Sequence, residues 1–285
     1  MILVTGATGT NGIELLNRLS AAGEPARALV RDPVKAEKLL PRDVQLSRGD
    51  LDDRASLTAA MEDIEKVFLL CPVAANQLEL ETNLIDAARQ AGVRQIVKFS
   101  VIHASADSPS QLIRWHAQAE QHIRSSGIPF TFLRPNIFMQ EILRQAEAIK
   151  SQNAFYMPFA PDVRLSFVDV RDNAAVAAKV LSETGHESKI YELTGPAAPS
   201  LSEVAQTLSN VTGRQINHVQ VSMDQWKQGF LATGAPQWLV DLVAELYETF
   251  VPANSVVKDG VRQALGRPAT SFAQFAADHA SQVRG

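Results

Sequence analysis

The chain opens on a short apolar run, Ile2 to Thr5, then a glycine-punctuated turn and an amphipathic stretch from Asn11 to Ala22. The same alternation of short β-branched or apolar runs with longer amphipathic stretches continues to about residue 135. It predicts strands at Ile2–Thr5, Ala26–Val30, Val44–Ser47, Lys66–Leu70, Gln95–Phe99 and Phe130–Leu133, separated by helices that include Asn11–Ala22, Leu78–Ala91 and Gln111–Ser125. Strands joined by helical crossovers pair in parallel, and their near-continuous apolar character fits a sheet covered by helices on both faces. Ala22-Gly23, Ala91-Gly92 and Ser126-Gly127 are the small-residue stops expected at helix C-termini.

Beyond Pro135 the alternation loosens. Leu165–Val168 and Ile190–Leu193 read as strands flanking a helix from Asp169 to Glu183, a unit expected to return to the main sheet. From about residue 196 the pattern is mostly helical, with one strand-like run at Ile216–Val221 and with Trp226, Trp238 and Tyr247 as expected packing residues. The fold class is therefore α/β: a Rossmann-type doubly wound parallel sheet with a smaller, mostly helical C-terminal lobe. Residues 1–135 plus 166–195 are expected to form the cofactor-binding domain, and 136–165 plus 196–285 the lobe that meets the substrate. There is no internal repeat, low-complexity segment or Pro/Gly/Ser-rich linker.

Composition narrows the function classes. The 285 residues are 46% hydrophobic and 20% charged, enough apolar material for one large core. A formal charge of -4 without a basic block argues against a nucleic-acid binder and leaves a small molecule as the expected partner. No apolar run approaches the roughly 20 residues needed to span a bilayer, and no basic segment precedes an apolar one at the N-terminus, so no membrane association is expected and the cytoplasm is the expected location. Cys71 is the single cysteine, which excludes an intrachain disulfide. The six histidines show no His-Glu-x-x-His spacing, so no metal site is expected. There is no Gly-x-Ser-x-Gly elbow and no Lys-Ser/Thr after the glycine turn, which argues against an α/β-hydrolase and a P-loop NTPase. A homodimer is left open.

The first turn carries the strongest signal. Gly6-Ala7-Thr8-Gly9-Thr10-Asn11-Gly12 lies between a strand and a helix. There Gly6 allows the tight turn, Gly9 lets the backbone approach a pyrophosphate and Gly12 lets helix and strand pack closely, while the helix N-terminus offers N–H groups and a positive dipole end. A dinucleotide is the expected ligand, with Thr8, Thr10 and Asn11 beside its diphosphate. The second strand ends at Arg31, where a cation would hold a 2′-phosphate, so NADP(H) is favoured over NAD(H), with Lys35 as a second phosphate contact. Asp32 competes as a ribose-binding acid, although Asp32-Pro33 also reads as a helix cap followed by proline at the first helical position. Asp50 and Leu51, after the third strand, fit an adenine contact; Asp50 reads equally as the cap of a helix from Asp52 to Met61. Leu70, Cys71 and Pro72 end the fourth strand, where they would lie over the adenosine ribose and diphosphate, with Cys71 a packing residue rather than a reactive thiol.

Val4-Thr5-Gly6-Ala7-Thr8-Gly9, Val30-Arg31-Asp32-Pro33, Gly49-Asp50-Leu51, Phe68-Leu69-Leu70, Leu133-Arg134-Pro135-Asn136-Ile137-Phe138-Met139-Gln140, Ser166 to Asp172 and Tyr191 to Pro196 together resemble the NmrA-like branch of the atypical short-chain dehydrogenase/reductases. The resemblance covers nearly the whole chain. It implies NADPH-dependent reduction of quinones or triphenylmethane dyes, or a cofactor-binding sensor with little turnover.

Short-chain dehydrogenases of the typical kind use Tyr-x-x-x-Lys, in which lysine lowers the phenol pKa for proton exchange. Here Tyr156, Tyr191 and Tyr247 are followed four positions on by Ala160, Gly195 and Val251. Taking Glu120 as the anchor of that helix, His116 stands at the lysine position and Leu112 at the tyrosine position. Ser100 matches the serine that accompanies the pair. Reducing a quinone yields a phenolate with a pKa of roughly 10 that water can protonate, so a delocalised acceptor does not require the missing tyrosine. Pro135, Asn136 and Phe138 are expected to line the nicotinamide, with Asn136 the polar contact to carboxamide or acceptor and Phe138 equally readable as core packing. His116 is expected either to serve in lysine's stead or to be a structural histidine; His103 is a weaker candidate for the acceptor pocket.

Overall fold

The computed structural model describes residues 1–250 and 255–284. Residues 251–254 and 285, part of the expected lobe, lie outside the described residues.

The elements follow in the order β1 (Ile2–Val4), α1 (Thr10–Ala21), β2 (Ala26–Val30), α2 (Pro33–Glu37), β3 (Gln45–Arg48), α3 (Arg54–Ala60), β4 (Lys66–Leu69), α4 (Gln77–Gln90), β5 (Gln95–Phe99), α5 (Gln111–Ser126) and β6 (Phe130–Pro135). The chain then leaves the sheet through α6 (Gln140–Leu143), α7 (Ala146–Gln152) and β7 (Ala154–Met157) and returns as α8 (Val170–Ser182) and β8 (Lys189–Leu193). It ends in α9 (Leu201–Thr212), β9 (Asn217–Gln220), α10 (Met223–Ala232), α11 (Gln237–Phe250), α12 (Gly260–Leu265), α13 (Phe272–Asp278) and α14 (Ala280–Val283).

Seven strands pair in parallel in the order β3-β2-β1-β4-β5-β6-β8. The order reverses direction between β1 and β4, the switch point at which doubly wound sheets open a crevice at the strand C-termini. One face is sealed by α1 and α8, whose Leu15, Leu16, Leu19, Val176 and Val180 pack with Val4, Val97 and Leu133. The other is sealed by α3, α4 and α5 through Leu57, Leu84, Ile85 and Ile123, which meet Leu3, Val67, Ile96 and Phe132. Two-sided burial explains why these strands read as continuous apolar runs rather than alternating ones.

A third cluster, with Met139, Phe155, Phe167, Leu208, Phe272 and Phe275 at its centre, lies under the C-terminal elements. Here the structure departs from expectation in three places. Leu165–Val168 forms no strand of the sheet; Val168 makes an isolated bridge to Phe138, Arg164 just before the segment makes one to Ser200, and Leu165 to Val168 are all buried. Ala154–Met157, not expected as a strand, pairs in parallel with Asn217–Gln220 in a separate two-stranded sheet. Trp226 and Tyr247 do pack together, ring centroids 4.9 Å apart, whereas Trp238 is 40% exposed. The C-terminal segment also returns to the sheet: a Cβ on Gly260 would lie 2.3 Å from the Glu192 carbonyl oxygen, so glycine there lets α12 press against β8.

Candidate functional site

Backbone geometry builds the site at the end of β1. Gly6 takes φ +62°, and a Cβ there would lie 2.7 Å from Leu70 Cγ and 2.9 Å from the Leu70 carbonyl oxygen. Thr5 ties the same strands together: its hydroxyl donates to the Leu70 carbonyl and accepts from the Leu70 amide, each at 2.9 Å. Gly9 is the extended N-cap of α1 and provides no side-chain cap. The first N–H groups of α1, from Thr10, Asn11 and Gly12, therefore lack both helical and capping acceptors. Gly12 permits the close approach that shapes the turn, since its Cβ would fall 2.3 Å from Gly6 O and 2.7 Å from Ala7 Cα. Thr8, Gly9 and Thr10 are exposed, whereas Asn11 is 8% exposed and its Oδ1 is a buried atom without a partner. An exposed glycine at the cap and uncapped backbone amides fit a diphosphate.

The neighbouring strand tips continue this row. Arg31, immediately after β2, is exposed and makes no hydrogen bond or ion pair with any described residue. Asp32 accepts from the Lys35 amide at 3.1 Å as the N-cap of α2, with Pro33 opening the helix, so the cap reading of Asp32 holds and its carboxylate is engaged there. Lys35 is exposed on α2. The corresponding cap reading of Asp50 gives way: Asp53 caps α3, accepting from Ala55 and Ser56 amides at 3.0 and 3.3 Å, and leaves the half-buried Asp50 carboxylate with one long contact, from the Asp52 amide at 3.4 Å. Leu51 is buried beside Asp50, its carbonyl held by Asn83 Nδ2 at 3.1 Å. After β4, Leu70 is half-buried, Cys71 buried and Pro72 exposed. Burial, with Glu81 adding to it, pushes the Cys71 thiol up to about 12, consistent with a packing residue. The glycine turn, Arg31, Asp50 and Leu70 to Pro72 thus follow adjacent parallel strands at their C-terminal ends.

At β5 and β6 the row becomes aromatic. Rings of Phe68, Phe99 and Phe138 follow one another with centroids 5.9 and 6.2 Å apart, Phe138 half-buried at the end. Pro135 is buried at the tip of β6. Asn136 is 4% exposed; its Nδ2 donates to Ser166 Oγ at 2.6 Å, its Oδ1 accepts from the Ile137 amide at 2.7 Å, and Ser166 donates on to the Val256 carbonyl at 2.9 Å. These bonds hold the turn that presents Phe138. Ser100 is buried at the end of β5, its hydroxyl donating to Glu120 Oε1 at 2.7 Å, while Arg134 grips both oxygens of the same carboxylate at 2.9 and 2.6 Å. His103 is exposed in a left-handed turn, φ +57°.

Sequence reading missed the groups around His116. Lys98, fully buried on β5, places Nζ 2.6 Å from Glu81 Oε1 on α4 and 3.2 Å from His116 Nδ1 on α5. Burial, then the Lys98 ammonium, lowers the imidazole pKa far below its ordinary value, so His116 is neutral at pH 7. A lysine inside a β-branched strand run was the available signal for Lys98; nothing local to it marks Glu81, 17 positions earlier.

The lobe closes this end. Glu245 on α11 accepts from the Gln111 amide at the start of α5, and Tyr247, two residues on, packs at a tilt against Phe159, centroids 5.2 Å apart, and against Trp226. Among the described residues no helix is long and apolar enough to cross a membrane, and no group of three or more His, Cys, Asp or Glu side chains is placed to hold a metal ion.

Comparison with known proteins agrees with this geometry. An NAD(P)H azoreductase of Xenophilus azovorans is 42% identical over 282 residues, spanning 99% of this chain and 98% of that protein. The structure of an NADPH-dependent quinone oxidoreductase from Escherichia coli complexed with NADPH superposes with a TM-score of 0.86 at 30% identity, covering 99% of each chain. The triphenylmethane reductase of Citrobacter sp. complexed with NADP(H) gives 0.87 at 28% identity, covering 98% of this chain and all of the other. Residues 1–274 match the model of the NmrA-like family, and the chain belongs to that family.

Proposed function

We propose that this protein is an NADPH-dependent oxidoreductase that passes hydride to a quinone-like or otherwise delocalised acceptor, the class to which the quinones, azo compounds and triphenylmethane dyes named for its relatives belong. The observation that carries the reading is the uncapped glycine turn with Arg31 unengaged at the adjoining strand tip. In this reading Gly6, Thr8, Gly9, Thr10, Asn11 and Gly12 receive the diphosphate, and Arg31 and Lys35 the 2′-phosphate. Asp50 and Leu51 meet the adenine; Leu70, Cys71 and Pro72 cover the ribose and diphosphate. Ser100, Pro135 and Phe138 border the nicotinamide, and His116 and Asn136 act at the acceptor end, Asn136 through the turn it holds.

The bound nicotinamide supplies the hydride. The chain's own part is to seat a flat acceptor beside the Phe99–Phe138 pair, to exclude water under α11, and to do so without a Tyr-Lys proton donor. Residues 136–165 and 196–285 form the acceptor-side lobe in this proposal, with α12 packed back on the sheet. Cytoplasmic residence fits a single buried cysteine and a reduced nicotinamide supply; a homodimer belongs to the same proposal.

The test is NADPH oxidation, followed by nicotinamide absorbance, against a panel of quinones, azo dyes and triphenylmethane dyes. Turnover with at least one class is expected. Saturable NADPH binding without turnover on any of them would replace the enzyme with a cofactor-binding sensor.

A further inference from the structure

The buried cation beside His116 has a use that the row of strand tips does not account for. Lys98 has three N–H donors and no acceptor. Three acceptors surround its Nζ: Glu81 Oε1 at 2.6 Å, His116 Nδ1 at 3.2 Å and the Phe99 carbonyl at 3.5 Å. Lys98 and Glu81 are both 0% exposed, and Lys98 is the cation paired with this carboxylate; burial raises the Glu81 pKa, while Lys98 and Gln77 hold it down. A charged Lys98 makes Nδ1 an acceptor, which puts the ring's one proton on Nε2. Nε2 has no partner among the described residues and is not among the buried unpartnered atoms, so it keeps some accessible surface on a half-buried ring.

The placement suits such a donor. His116 sits on α5 one turn before Glu120, the residue that holds Ser100 at the C-terminal end of β5 next to the Phe99–Phe138 pair. Lys98 from β5 is the charged group that faces it; Glu81 from α4 and the Cys71 thiol after β4 lie by Lys98, Glu120 follows one turn on in the same helix, and Glu245 from α11 accepts from the Gln111 amide at the helix start.

We propose that Lys98 is a positioning residue: it fixes His116 as the Nε2–H tautomer, so that the imidazole presents a hydrogen-bond donor to the acceptor heteroatom. The assignment rests on the oxidoreductase reading above. A cationic triphenylmethane dye is neutralised by hydride alone; with a quinone or azo acceptor, hydride adds, the electron pair of the reduced double bond moves onto oxygen or nitrogen, and solvent supplies the proton that completes the product. The Nε2–H group meets that heteroatom as its charge develops, where a donor contributes most.

The experiment compares wild type with the double variant Glu81→Gln/Lys98→Met, which removes both buried charges and so avoids stranding one of them. A cooperative melt establishes that the variant is folded. Expected are an NADPH affinity within about twofold of wild type, a kcat about 10- to 100-fold lower, and loss of the single Nε2–H tautomer of His116 in 15N NMR of the ring. His116→Gln, which keeps a terminal amide N–H, should retain more kcat than His116→Phe. Wild-type kcat in the double variant, an unchanged tautomer, or a defect confined to NADPH affinity would overturn the proposal. A wild-type chain that turns over no acceptor would refute the oxidoreductase reading instead, and the tautomer would still decide what Lys98 does.

Discussion

Gly9 and Gly12 lie three residues apart in one turn, yet Gly12 is hemmed in by backbone while Gly9 is nearly open. A methyl group at Gly12 would sit 2.3 Å from Gly6 O, 2.7 Å from Ala7 Cα and 2.9 Å from Ala7 C. Ordinary contact begins near 3.4 Å, so backbone must move by about 1 Å, and overpacking of this kind costs roughly 1–3 kcal/mol. The helix propensity of alanine returns about 1 kcal/mol of that. Gly12→Ala should therefore lower stability by about 0–2 kcal/mol, and the displaced amides should weaken NADPH binding at least tenfold, about 1.4 kcal/mol. At Gly9 a Cβ meets only Gly6 O, at 3.3 Å, in an exposed position with φ −85°. Gly9→Ala should melt within about 1 kcal/mol of wild type yet bind NADPH at least tenfold more weakly, because the added methyl lies where the diphosphate approaches. Calorimetric titration with NADPH and thermal melts of the two variants check this. A Gly9→Ala protein that binds NADPH as tightly as wild type would refute placement of the diphosphate on this turn.

Arg31→Ala should weaken NADPH binding about 10- to 100-fold, the loss of one charge-assisted contact, and leave NADH affinity unchanged in parallel titrations; equal loss of both would contradict the 2′-phosphate assignment. His116, with its pKa depressed in the folded chain, contributes stability that is present above the unfolded value near 6.5 and lost as pH falls. The melting temperature should therefore drop between pH 7 and pH 5 by more in wild type than in His116→Gln, and equal drops would count against a buried neutral imidazole. Cys71, raised to about 12, stays a thiol at pH 8, with roughly 10,000-fold less thiolate than thiol. Iodoacetamide should modify it only on unfolding. Since its folded pKa is raised, its contribution is present below the unfolded value near 8.5 and is lost as pH rises through 12.

The regular part of the fold was readable because both faces of the sheet are buried. Ala26–Val30 and Gln95–Phe99 coincide with the predicted strands, and the αL glycines 23, 92 and 127 end their helices as expected. What the pattern did not show depends on distant partners. Leu165–Val168 is apolar enough for a strand, but Leu165 and Phe167 are spent on the third core cluster, Val168 on the core beneath α1 and α8, and Ser166 on its bond to Asn136, rather than on a ladder. Ala154–Met157 becomes a strand only because Asn217–Gln220 lies beside it. Asp50 reads in the sequence as the cap of a helix from Asp52 to Met61; the start of α3 at Arg54 makes Asp53 the cap instead. The glycine turn and Arg31 were legible because their chemistry is local. Lys98 was not, since its meaning comes from Glu81 and His116 on two other elements.

The most direct measurement is isotope transfer. Stereospecifically 4-deuterated NADPH is incubated with the protein and a cationic triphenylmethane dye, whose central carbon forms a C–H bond that does not exchange with water. The account predicts deuterium at that carbon from one face of the nicotinamide, stoichiometric with NADPH consumed, and much slower turnover with NADH. Reduced dye carrying hydrogen from solvent at that carbon, or no NADPH consumption with the dye or with any quinone or azo acceptor, would contradict it.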